Sequence, residues 1–184
     1  MKSLLRLGTC GVWLLLGPVM GSEREPVRTQ AKVVDGAPSR TMLDATAAGK
    51  ASALATLSTK LPQAQWDVAS ARAGDIDGDG KKDWIVLGYL KGEIALGVVV
   101  TSDGVGENPQ ILRLPVSRNV QMAICSTPAK LVVLPLNCTA DDNSTFPGCQ
   151  LSSGAVSVQV DDGECDPVNV YWAHDRKHIV SWRN

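Results

Sequence analysis

Asp75-Ile76-Asp77-Gly78-Asp79-Gly80-Lys81-Lys82-Asp83 runs without a break into the apolar stretch Trp84-Ile85-Val86-Leu87. Carboxylates at alternate positions repel one another unless a cation lies between them. A loop of this kind holds a hard ion such as Ca²⁺ through oxygens at positions 1, 3, 5, 7 and 9, with glycine at 6 making the sharp turn. Here those oxygens are the carboxylates of Asp75, Asp77, Asp79 and Asp83 and the backbone carbonyl of Lys81, and Gly80 stands at the turn. The plainer alternative is a hairpin turn rich in Asp and Gly. In either case Trp84 to Tyr89 reads as a strand leaving the loop, so the stretch points to a sheet.

An EF-hand needs an apolar residue at position 8 and a bidentate Glu at 12, on an outgoing helix. Lys82 and Val86 occupy those positions, so that reading fails. A loop that ends on Asp83 and enters a strand resembles the FG-GAP or VCBS calcium-loop repeats of integrin α-subunit propellers and many bacterial exported proteins. The resemblance covers about 66–89, with Gly74 to Asp83 its specific core. The Phe-Gly and Gly-Ala-Pro signatures are missing, so the likeness is to the loop and its flanking strands. It implies Asp75, Asp77, Asp79 and Asp83 as calcium ligands. A propeller needs several blades, and no second Asp-x-Asp-x-Asp-Gly loop occurs. The expectation is therefore a small domain built around one loop.

Outward from the loop, period-two alternation predicts more strands. Trp66 to Ala73 is expected to pair with Trp84 to Tyr89, and Lys91-Gly92 turns the chain into Ile94 to Thr101. Ser102-Asp103-Gly104 turns again. Further strands are expected at Gln110 to Leu114, Val120 to Ile124, Leu131 to Leu136 and Val156 to Val160. A last hairpin joins Val168 to Trp172 with Ile179 to Trp182 through a loop near Asp175-Arg176. Pro115 and Pro135 mark strands that end early or lie on an edge. Asp141-Asp142-Asn143 and Asp161-Asp162-Gly163-Glu164 lack the alternate spacing of a metal loop and read as turns.

Before the strands, Met1-Lys2-Ser3-Leu4-Leu5-Arg6 and the apolar run from Leu7 to Met20 have the pattern of a secretory signal peptide over 1–21. Val19 and Gly21 suit cleavage before Ser22, and the run is short and glycine-broken for a membrane span. The polar, proline-punctuated segment 22–38 reads as a flexible tether. A helix is expected over 39–61, opened by the capping-box spacing of Thr41-Met42-Leu43-Asp44. Its apolar residues are Leu43, Ala47, Leu54 and Leu61, and Pro62 stops it. The fold class is thus mainly β: an antiparallel, sandwich-like domain over 62–184 preceded by one helix.

Beyond the leader four cysteines remain, Cys125, Cys138, Cys149 and Cys165, with no Cys-x-x-Cys pair. An even number in an exported chain predicts two disulfides with three possible connectivities. Because Cys149 and Cys165 bracket one strand, Cys149–Cys165 with Cys125–Cys138 is the pairing expected here. Asn137-Cys138-Thr139 and Asn143-Ser144-Thr145 are formal glycosylation sequons.

No enzyme signature stands out. His174 and His178 are the only histidines, no Glu follows His174 as in the zinc-protease motif, and a solvent-facing hairpin loop explains both. Glu164 and Asp166 flank Cys165 beside Pro167, where a turn is expected rather than a glycosidase pair. With a net charge of −1 nothing points to nucleic acid or to an acidic membrane. The functional expectation is a secreted or periplasmic calcium-binding module that is not an enzyme. A protein-binding surface of an envelope inhibitor or adhesion protein, facing another envelope or extracellular protein, is the second reading. A hydrolase using Glu164, Asp166 and the histidines is the third.

Overall fold

The computed structural model describes residues 40–101, 108–120, 123–140 and 143–183. The leader, the tether, the Ser102-Asp103-Gly104 turn and Asp141-Asp142 of the expected Asp141-Asp142-Asn143 turn lie outside them. Helix α1 spans Arg40–Lys60, and nine strands follow. They are β1 Gln65–Trp66, β2 Arg72–Gly74, β3 Asp83–Leu90, β4 Glu93–Val100, β5 Asn108–Pro115, β6 Lys130–Pro135, β7 Val156–Asp161, β8 Val168–Ala173 and β9 His178–Trp182. They form two antiparallel sheets, β1-β3-β4-β5 with β2 also on β3, and β6-β7-β8-β9. The mainly β class with one helix holds among the described residues.

Alternation along β3 and β4 explains the layering, because successive side chains leave a strand on opposite faces. Ile85, Leu87, Ile94, Leu96 and Val98 meet Val158, Val160, Val168, Val170 and Trp172 of the second sheet in one core. Val86 and Val99 point the other way, into a smaller core with Ala53 and Leu57 of α1. The order is helix, sheet, sheet.

Expected Trp66 to Ala73 is strand at both ends of its span, broken by a 3-10 turn at Val68–Ser70 that Asp67 caps through the Ala69 N–H at 2.9 Å. The turn carries the Ser70 hydroxyl to the Leu87 N–H, 2.9 Å away, in the middle of β3. Of the expected strand Val120 to Ile124, residues 121 and 122 lie outside the described residues, Val120 is half exposed in a bend, and Ile124 forms only an isolated bridge to Val116, its N–H donating to the Pro115 carbonyl. Both prolines end edge strands, β5 and β6.

Helix α1 departs from the expected pattern in two ways. Thr41 lies inside the helix rather than capping it. Ala47 is exposed, and the buried line is Ala53, Leu57 and Leu61, with Leu54 at its margin. In an Ala-rich helix several faces are similarly apolar, and the sheet chooses among them. Gly97 has no side chain, and Leu57 fills the space: a Cβ there would stand 2.7 Å from Leu57 Cδ2.

The disulfides are Cys125–Cys165 and Cys138–Cys149, with Cα separations of 5.9 and 5.6 Å, not the expected pairing. Bracketing a strand is the wrong cue. Six extended residues separate their flanks by about 20 Å, whereas a disulfide needs Cα atoms within about 7 Å. Antiparallel β6 and β7 instead bring the start of one beside the end of the other, Lys130 opposite Asp161 and Pro135 opposite Val156. One bridge sits beyond each end of that pair.

Asp162 fixes the first of these ends. Its Oδ1 accepts the Glu164 and Cys165 N–H groups at 2.8 and 2.9 Å, and its Oδ2 accepts those of Cys125 and Ser126. Burial alone would raise its pKa, but these four donors outweigh that and hold it below the ordinary carboxylate value. The expected turn at Asp161-Asp162-Gly163-Glu164 is therefore also a clasp.

Candidate metal centre

Three things place the 75–83 loop. Ile76 is buried in the core between the sheets and anchors its start. Gly74 and Asp83 are paired across β2 and β3, so the loop closes on itself. Gly78 and Gly80 take φ of +76° and +87°, conformations that side-chain-bearing residues rarely adopt. Gly78 is needed for space as well, since a Cβ there would come within 2.5 Å of Ser152 Oγ.

Asp83, at the first position of β3, is fully buried. Its Oδ2 accepts the Ile76 N–H at 2.9 Å and its Oδ1 accepts the Thr101 N–H at 2.8 Å. Thr101 Oγ1 also donates to the Lys82 carbonyl at 3.0 Å. The carboxylate thus ties both ends of the loop to the end of β4. Burial pushes its pKa up to about 6 despite the N–H donors, and Asp77 adds to the rise. Asp77 is itself held above its ordinary value, mainly by burial and then by the Asp79 and Asp75 carboxylates, against the Asp79 N–H that it accepts.

Asp75 accepts the Gly80 N–H through Oδ2 at 2.9 Å, while its Oδ1 is buried without a hydrogen-bond partner. Asp75, Asp77 and Asp83 each bring one carboxylate oxygen within 4.8 Å of the others. Two oxygens on one Ca²⁺ stand at most about 5 Å apart, so this cluster can hold a metal ion. The orphaned Asp75 oxygen fits such an ion, because an unpaired buried acceptor is costly.

Of the five expected ligands, the fold draws these three together. Asp79 is exposed, and its carboxylate accepts the Lys81 N–H at 2.8 Å and pairs with Lys81 Nζ at 3.4 Å. Lys81 thus contacts Asp79 through both its N–H and its ammonium, outside the three-aspartate cluster. Two contributors carry no sequence signal. Thr101 reaches Asp83 across the β3–β4 hairpin, and the Val156 N–H donates to the Asp75 carbonyl at 2.8 Å from the other sheet.

The remaining candidates form no second cluster among the described residues, although the His174 charge acts on Asp77 and partly offsets the rise in its pKa. His174 and His178 flank the β8–β9 turn and are half-buried rather than free in solvent, with His178 Nδ1 3.1 Å from the Arg176 carbonyl. Glu164 pairs with Arg118, and Asp166 is exposed. Two disulfides agree with an oxidising compartment, and no described helix is long and apolar enough to cross a membrane. Comparison with protein-family models, curated proteins and solved structures found no match to this chain.

Proposed function

We infer that this chain is an exported calcium-binding β module, secreted or periplasmic, in which the 75–83 loop takes one structural Ca²⁺. The observation that carries this reading is the buried Asp75 Oδ1, unpartnered beside the Asp77 and Asp83 carboxylates. Asp75, Asp77 and Asp83 would hold the ion. The FG-GAP or VCBS likeness adds Asp79, and the loop spacing adds the Lys81 carbonyl. An oxygen-only site of this kind favours Ca²⁺ over Mg²⁺, which demands strict octahedral geometry and gives up its water reluctantly.

The bound cation supplies charge neutralisation. The chain's own residues supply the rest: Asp83 joins the loop to β4 through Thr101, Asp75 joins it to β7 through Val156, and Ile76 holds it in the core. Exported modules bind calcium with Kd of about 10⁻⁴–10⁻³ M, which suits a structural ion outside the cell.

Calcium at millimolar concentration should raise the melting temperature above that in chelator, and Asp77→Ala should remove the difference. Tb³⁺ emission excited through Trp84, next to Asp83, should report occupancy directly. Identical melting curves with calcium and with chelator, together with no Tb³⁺ signal, would discard the reading.

A further inference from the structure

The outer face of the second sheet carries a row in register across all four strands, Val132, Gln159, Asn169 and Trp182. Ser157, two residues before Gln159, shares that face. Outer faces are normally wet, yet Ser157 and Asn169 are only 7% and 8% exposed. The cover is built from the described residues 137–140 and 143–149, joined by Cys138–Cys149. Its Phe146 ring lies 4.3 Å from the Trp182 ring and 5.5 Å from Tyr171, whose hydroxyl donates to the Pro147 carbonyl at 2.9 Å. These contacts fix the cover in place and leave a cleft of about 170 Å³ beneath it.

The floor is polar and under-used. Gln159 Nε2 donates to Asn169 Oδ1 at 2.7 Å. That leaves the Asn169 amide NH₂, the Gln159 carbonyl oxygen and the Ser157 hydroxyl with no hydrogen-bond partner among the described residues, and all three residues line the cleft. A donor, an acceptor and a group that is both therefore converge beside the aromatic wall of Phe146 and Trp182. None of the described lining residues is ionisable.

We propose that this cleft binds one neutral, hydroxyl-rich sugar unit, free or at the end of a glycan. Adjacent hydroxyls on a sugar ring both donate and accept, matching Ser157, Gln159 and Asn169, while its C–H face suits Trp182. An apolar ligand would leave the three polar groups unpaired, and the described lining residues offer an anion or cation no countercharge. The volume is below the roughly 300 Å³ where drug-sized sites begin, so it holds one ring rather than an extended chain. The cleft lies on the sheet that does not carry the aspartate loop, and the proposal stands independently of the metal.

The test uses the full chain, disulfides intact and calcium present. It is titrated with methyl glycosides of glucose, galactose, mannose and N-acetylglucosamine up to tens of millimolar, read by saturation-transfer NMR and calorimetry. At least one should bind saturably. Ser157→Ala and Gln159→Leu should each weaken it about fivefold or more while melting as the wild type does. Ser157→Ala removes only an unpartnered hydroxyl, so its folding is secure even where Gln159→Leu disturbs the sheet. Three results would overturn the proposal: no saturable signal with any glycoside, binding that both variants leave intact, or a neutral peptide occupying the cleft while the glycosides do not.

Discussion

Asp83 shows how one side chain can be both a strut and a burden. It holds the Ile76 and Thr101 N–H groups, yet as a buried carboxylate it titrates near 6 instead of its ordinary 3.8. A raised pKa means that the folded state binds the proton more tightly than the unfolded one. Its contribution is therefore fully present below pH 3.8 and lost as pH rises through about 6. In chelator this difference amounts to about 3 kcal/mol across the window. Wild type should thus lose stability relative to Asp83→Asn between pH 4 and pH 6.5, measured by urea unfolding without metal. Parallel pH profiles for the two proteins would show that Asp83 is not the group responsible. Asp162 acts in the opposite sense, since its lowered pKa contributes stability above the ordinary carboxylate value that is lost in stronger acid.

At the scale of elements, the helix is seated by what the sheet lacks. A Cβ at Gly97 would stand 2.7 Å from Leu57 and 2.8 Å from Trp66, and one at Gly88 would also meet Trp66 at 2.8 Å. These two glycines open a trough on the helix-facing side of β3 and β4, and Leu57 and Trp66 fill it. Gly97→Ala should therefore destabilise by about 1–3 kcal/mol through overpacking. Leu57→Ala should cost about 2–5 kcal/mol by leaving a cavity. Since the two residues meet, the double variant should lose less than the sum of the singles, as read from denaturation midpoints. Strict additivity would place the helix elsewhere on the sheet. This trough also explains why the helical face was hard to read. Leu43, Ala47, Leu54 and Leu61 fit a helical period as well as the buried Ala53, Leu57 and Leu61 do, and only the sheet's shape separates them.

For the whole molecule, the two disulfides act at opposite ends of the β6–β7 pair. Cys125–Cys165 closes a loop of 40 residues and Cys138–Cys149 one of 11. By loop-closure entropy the first should contribute about 4 kcal/mol and the second about 3. Replacing Cys125 and Cys165 by serine should lower the urea midpoint more than replacing Cys138 and Cys149. The reverse order would mean that the short bridge acts mainly through the native contacts of the cover it joins rather than through the unfolded chain. The long bridge also joins the segment between the two sheets to the β7–β8 turn, where Asp162 reinforces it with four N–H bonds.

The sequence by itself determined the β class, most strand positions, the single aspartate loop and the number of disulfides. Each of these is a local matter: a side-chain period of two, a spacing of acids and glycines, a count of cysteines. Only the tertiary structure decided which cysteines meet, which helical face is buried and which aspartates share a centre. It alone placed Thr101 and Val156 on the loop and lined Ser157, Gln159 and Asn169 up beneath a cover. Those outcomes depend on strand pairing and on the space between layers, which bring together residues whose separation along the chain carries no periodic mark. Cys125 and Cys165 illustrate the reason. They are neighbours because β6 and β7 run antiparallel, a relation that belongs to two strands together and cannot be read from either alone.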